Sequence, residues 1–109
     1  ALAAEAGRYD VMVAREFFIH QNRETARTVL RLAKYLLRAG GAIYADFYYQ
    51  TGDGGVTYDA TDSIDTHNSS AGFHFTLLDV NLLAKETGLM VESEVIEHKE
   101  MRRFVTFRA

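Results

Sequence analysis

The stretch "LLRAGGAIYADFYY", Leu36 to Tyr49, constrains this chain more than any other. An apolar helix end runs through two glycines directly into a strand rich in aromatics. Glycine at that point can adopt the left-handed backbone that closes a helix, so Gly40 or Gly41 is expected to end the first helix. The strand is then expected over Ala42 to Tyr49. A helix that feeds a strand so abruptly belongs to an α/β layer architecture, in which crossover helices join strands of one sheet.

The flanking segments extend this pattern. "YDVMVA", Tyr9 to Ala14, is a short apolar run without clean alternation, which predicts a strand buried on both faces. Asn22 is placed to cap the following helix, with Glu24 in its first turn. Ala26, Val29, Leu30, Ala33 and Leu37 follow helical spacing, and Arg27, Arg31, Lys34 and Arg38 face away. Further on, Thr76 and Asp79 resemble a capping box with aspartate in the acidic position. Leu77, Val80, Leu83 and Ala84 then form one helical face that Leu78 and Leu82 widen, and Gly88 ends the helix. Leu89 to Glu97 reads as a strand with Leu89, Val91 and Val95 opposing Glu92 and Glu94. Arg102 to Arg108 is the last strand and pairs with it as a hairpin.

Between the two halves lies an acidic, flexible stretch, roughly residues 50–74. It is read either as a loop or as a turn at "TGDGG" followed by a short strand, Val56 to Ala60. His67 and His74 flank "NSSAGF" beside Asp59, Asp62 and Asp65. Their spacing matches neither a calcium loop nor a zinc helix, so no metal site is expected.

Composition narrows the classes. The 109 residues fit one domain or half-domain, and 48% hydrophobic residues suffice for a core. A net charge of −3, with no lysine or arginine from Ala39 to Ala84, argues against nucleic-acid binding. No apolar run reaches membrane-spanning length, and no signal peptide is recognised. The chain has no cysteine, which removes disulfides and thiolate metal sites and makes a cytoplasmic setting the expectation.

Four segments together resemble the C-terminal half of the class I S-adenosylmethionine-dependent methyltransferases. "YDVMVAREFFIHQ" is similar to that family's fourth strand and following turn. "VLRLAKYLLRAGGAIYADFY" is similar to its helix, Gly-Gly turn and fifth strand, with Ala39 where many members have proline. "FTLLDVNLLAKETGLMVESEV" resembles the late helix and sixth strand, and "RRFVTFRA" the antiparallel seventh. The glycine-rich turn and the ribose-binding acidic residue of the family's N-terminal half have no counterpart here. The implied fold is a partial Rossmann-like sheet in the order β-α-β-α-β-β. Without Val56 to Ala60 as a strand, that reading stands; with it, an α+β ferredoxin-like fold with an extra strand is the alternative.

What the resemblance implies for function follows residue by residue. Arg15, Glu16, Phe17 and Phe18 come just after a strand's C-terminal end, where open α/β sheets bind ligands, and would line one side of the S-adenosylmethionine pocket. His20 is a candidate general base. Asp46, Tyr48 and Tyr49 end the next strand on the same edge and would orient a small-molecule acceptor. Asp46 alternates with Tyr44 and Tyr48, so the three are expected on one face. No Tyr-x-x-x-Lys pair, Gly-x-Ser-x-Gly elbow or P-loop occurs, and a chain without proline lacks the Pro-Pro signature of amino-methylating nucleic-acid enzymes. The competing expectation is a non-enzymatic module that binds a ligand or dimerises. An unpaired apolar edge at Tyr9 to Ala14 predicts either a homodimer or a missing N-terminal half.

Overall fold

The computed structural model describes residues 2–48, 75–97, 99 and 102–109. A short helix α1 (Leu2–Glu5) leads into β1 (Tyr9–Ala14). A 3-10 turn (Phe18–His20) then precedes α2 (Arg23–Leu36), β2 (Leu37–Tyr48), α3 (Leu77–Thr87), β3 (Met90–Glu97) and β4 (Arg102–Arg108). The four strands form one sheet in the order β1-β2-β4-β3. β1 and β2 run parallel, and β4 is antiparallel to both of its neighbours. A split βαβ unit would place another strand between β1 and β2. Their adjacency favours the partial Rossmann-like sheet over the ferredoxin-like alternative. Val56 to Ala60 lies outside the described residues. Among those described, no helix is long and apolar enough to cross a membrane.

Both long helices begin with side-chain caps. Asn22 Oδ1 accepts from the Thr25 amide at 2.8 Å. The Thr76 hydroxyl accepts from the Asp79 amide at 3.0 Å, while the Asp79 carboxylate accepts from the Thr76 amide at 2.9 Å, closing the capping box. Gly88, at φ 76°, ends α3 in the left-handed conformation. The helices pack on one face of the sheet through Ala26, Leu30, Ala33, Val80, Leu83 and Ala84. Arg23 reaches across to buried Asp79 at 2.6 Å and Arg27 to Glu86 at 3.2 Å, tying α2 to α3. Beneath them Phe47 sits at the centre of an aromatic cluster. It stacks on Phe18 at 5.0 Å and meets Phe75 and Phe107 at 5.1 and 6.2 Å.

Four expectations are corrected. The glycines do not end α2: the helix stops at Leu36, Leu37 is already extended, and β2 begins there. Gly40 and Gly41 instead sit inside β2, at an irregularity where the register jumps from Tyr9↔Leu37 to Val11↔Ala42. Gly40 takes φ 82° there. A Cβ on Gly41 would lie 3.0 Å from the carbonyl oxygens of Asp10 and Arg38, tighter than ordinary contact, so any other residue would push the backbone apart.

β1 is not buried on both faces. It is the sheet's edge among the described strands, and Tyr9, Val11 and Val13 are exposed while Met12 and Ala14 pack on the core. Leu78 and Leu82 are 54% and 39% exposed and do not widen the buried face of α3, and Leu77, expected on that face, is 38% exposed. The alternation expected over Leu89 to Glu97 is broken by a register shift between Val91 and Ser93. One extra residue sends every later side chain to the other face. Val95 therefore points outward, 62% exposed, and Glu94 turns toward the helix side to pair with buried Arg103.

Candidate functional site at the C-terminal edge of the parallel strands

β1 and β2 end side by side, and β4 begins beside β2's end through the pair Tyr48↔Arg102. Glu16 follows β1 with φ 58°, the one non-glycine positive φ among the described residues. Such a backbone is strained for a residue with a Cβ and persists only where its surroundings hold it. Asp46, one position before Phe47 in β2, supplies the hold: its Oδ1 accepts from the Glu16 amide at 2.6 Å. The other carboxylate oxygen accepts from Arg102 at 2.5 Å. Arg102 also stands 3.8 Å from the Glu16 carboxylate, and its guanidinium lies 4.7 Å from the Tyr48 ring centroid.

The electrostatics follow from burial. Asp46 is 1% exposed, and the Arg102 side chain 9%. Desolvation opposes the charge on Arg102. Hydrogen bonds and charge from Asp46 and Tyr48 outweigh it and hold the guanidinium above its ordinary value. A buried carboxylate is thereby matched to a buried cation, which is what allows either to be there. Arg102 was not among the candidates from sequence. "RRFVTFR" shows two arginines opening an apolar strand, but nothing in it says which of them meets Asp46, 56 residues away in sequence.

The edge gathers some candidates and separates others. Arg15 is exposed, Glu16 turns most of its carboxylate to solvent, and Phe17 is 36% exposed, packed edge-on to Phe18 at 5.1 Å. Phe18 itself is fully buried and backs the turn from inside the core. His20 is exposed at the end of the 3-10 turn. Asp46 presents no free surface and reaches the edge only through Arg102 and the Glu16 peptide. Tyr48 is half-buried beside Arg102. Tyr49, His67, His74 and the acidic stretch lie outside the described residues. Among those described, no group of three or more acidic residues or histidines is placed to hold a metal ion.

On the sheet face away from the helices, a groove of about 250 Å³ runs between Val13, Tyr44, Val95, Phe104 and Thr106, with Arg15 and Asp46 at its end. Tyr44 and Asp46 thus share a face, as the alternation predicts.

Phe17 offers a flat apolar surface, and the Glu16 carboxylate beside it can accept from hydroxyls or face a cation. Among the described residues, Gly40 stands in the first half of β2, away from this edge, and Gly88 follows α3.

No protein-family model and no curated protein sequence matches the chain. Solved structures do match. The O-methyltransferase family 2 protein from Planctomyces limnophilus, in complex with apigenin, superposes with a TM-score of 0.69 at 13% identity, over 92% of this chain and 30% of that one. The magnesium protoporphyrin IX methyltransferase of Synechocystis, with bound S-adenosylhomocysteine, gives 0.66 at 14% identity, over 99% and 48%. The 1,6-didemethyltoxoflavin-N1-methyltransferase of Burkholderia thailandensis, with its substrate and S-adenosylhomocysteine bound, gives 0.68 at 19% identity, over 94% and 44%. The chain spans less than half the length of each of these proteins. Its fold is that of the C-terminal part of an S-adenosylmethionine-dependent methyltransferase domain.

Proposed function

We propose that this chain is the C-terminal part of a small-molecule S-adenosylmethionine-dependent methyltransferase, and that it turns over only when an N-terminal half completes the cofactor pocket. The observation that carries this reading is the strand order β1-β2-β4-β3, with one parallel pair and the last strand inserted antiparallel. Neighbours of that fold carry S-adenosylhomocysteine, apigenin or 1,6-didemethyltoxoflavin.

In this reading S-adenosylmethionine, when bound, supplies a methyl group already activated on sulfonium. The chain's own residues then need only position and desolvate, which explains why no sharp catalytic motif stands in the sequence. Arg15, Glu16 and Phe17 form one wall for the cofactor, with Phe18 holding the turn from behind. Tyr48 and Tyr49 orient the acceptor, and Asp46 serves them by fixing Arg102. His20, exposed at the same edge, is the candidate base for an acceptor hydroxyl or amine. A cytoplasmic setting goes with this assignment.

Calorimetric titration with S-adenosylhomocysteine tests it, on this chain and on the chain extended by whatever its gene encodes upstream. Binding by the extended protein alone, with methyl transfer to a small acceptor, is the expected outcome. Micromolar binding by the 109-residue chain would remove the need for a second half. An extended protein that binds no cofactor would sink the methyltransferase reading.

A further inference from the structure

We propose that Asp46 and Arg102 are positioning residues: together they hold Glu16 in a strained backbone, so that its carboxylate faces the ligand edge and accepts from a hydrogen-bond donor of the bound cofactor. This rests on the methyltransferase reading and deepens it, naming the residue that makes the contact and the two that fix it.

Among the described residues, positive φ occurs at Gly7, Gly40 and Gly88, at 65°, 82° and 76°, and at Glu16, at 58°. Glycine takes that conformation freely, whereas a residue with a Cβ is strained in it. Glu16 therefore keeps a side chain where glycine would fit the backbone better. That side chain does little for the fold. It is 62% exposed and stands 3.8 Å from Arg102 Nη2. An ion pair with so exposed a partner contributes little to stability.

The contacts around it are nevertheless built. Asp46 Oδ1 accepts from the Glu16 amide at 2.6 Å, and Oδ2 accepts from Arg102 Nη1 at 2.5 Å. The other terminal nitrogen of the same guanidinium faces the Glu16 carboxylate, and the Tyr48 ring centroid lies 4.7 Å from the guanidinium carbon. One buried ion pair thus fixes Glu16 at two points, its backbone through Asp46 and its carboxylate through Arg102. A well-packed apolar pair in this aromatic strand would serve stability as well. A strained backbone and a buried ion pair therefore meet at one carboxylate, and such local conflicts persist where a ligand needs the geometry.

Calorimetric titration with S-adenosylhomocysteine and urea unfolding test this, both on the chain extended by whatever its gene encodes upstream. Glu16→Gly and Glu16→Ala each remove the carboxylate, but only glycine relieves the strain. Both should bind at least about tenfold more weakly than wild type, the loss of one hydrogen bond to a charged group. Glu16→Gly should unfold at a higher urea midpoint than Glu16→Ala. Asp46→Asn keeps an acceptor for the amide but not the charge that holds Arg102, so the guanidinium draws the Glu16 carboxylate inward. It should weaken binding about fivefold or more by itself, yet less than about twofold in the Glu16→Gly background, because Asp46 acts through Glu16. The same loss in both backgrounds would make Asp46 merely structural and overturn the inference. So would Glu16→Gly binding as tightly as wild type, or unfolding no later than Glu16→Ala, and these two results decide even where Asp46→Asn fails to fold. A wild-type extended protein that binds no cofactor removes the methyltransferase reading and this inference with it. Wild-type binding with unaffected variants removes the inference alone.

Discussion

At the residue scale the molecule turns on a few side chains whose neighbours are fixed by backbone geometry. Gly41 is one: a Cβ there would stand 3.0 Å from the carbonyl oxygens of Asp10 and Arg38, tighter than ordinary contact. Gly41→Ala should destabilise the chain by about 1–3 kcal/mol in urea unfolding, because the clash is with backbone and cannot be relieved by a rotamer. The Asp46–Arg102 pair is another. Arg102→Met leaves a buried carboxylate without its cation and should cost about 3–5 kcal/mol, while the double variant with Asp46→Asn should recover a good part of that. A double variant no better than Arg102→Met would mean that the pair is not energetically coupled. Tyr9 gives a pH signature. Its hydroxyl donates to Glu5 at 2.8 Å, and that bond and the carboxylate's charge raise the phenol above its ordinary value of 10.0. The stabilisation is therefore complete below the unfolded-state value and is lost as pH rises through the higher folded-state one. Alkaline absorbance titration should show a tyrosine signal above the ordinary value that disappears in Tyr9→Phe, and an unchanged titration at the alkaline end would contradict it.

At the element scale, local signals were legible wherever a local hydrogen bond decides the outcome. Asn22 and the Thr76–Asp79 box cap α2 and α3 as their sequence positions predict, and Gly88 closes α3. Thr76→Ala should cost about 1 kcal/mol, the ordinary worth of an N-cap. Asp79→Ala should cost more, since Asp79 is fully buried and also receives Arg23 from α2. Comparable losses from the two substitutions, by denaturant midpoint, would mean that the helix-to-helix contact contributes little. The end of α2 was misjudged for an instructive reason. Glycine permits a left-handed residue but does not say which structure needs it, and here a strand irregularity needs it first. β3 was misjudged because a bulge is a property of two strands together. No alternation within "MVESEVIE" reveals that Phe107 and Thr106 will meet Val91 and Ser93 with one residue left over.

At the scale of the whole molecule, the described residues form a four-stranded sheet whose helices α2 and α3 cover one face, with β1 at one edge of the described strands. Sequence alone determined the order of the main helices and strands, because hydrophobic period, caps and turn residues act within a few positions; the parallel β1–β2 pair and the antiparallel last strand were expected only from the family resemblance, with a ferredoxin-like alternative left open. It also marked Arg15 to Phe18 and Asp46 as the strand ends where a ligand edge would form. Tertiary structure alone decided that β4 lies between β2 and β3 and that Phe18 belongs to the core. It also decided that Asp46 serves Arg102 and the strained Glu16 peptide. Those outcomes depend on which distant segments share a low-dielectric interior, and a buried charge settles on whichever partner the fold brings within reach. In "LLRAGGAIYADFYY" the two glycines were legible as a break in structure. That Gly41 admits the close passage of β1, and Gly40 the left-handed residue of a strand irregularity, follows only from the neighbouring strand.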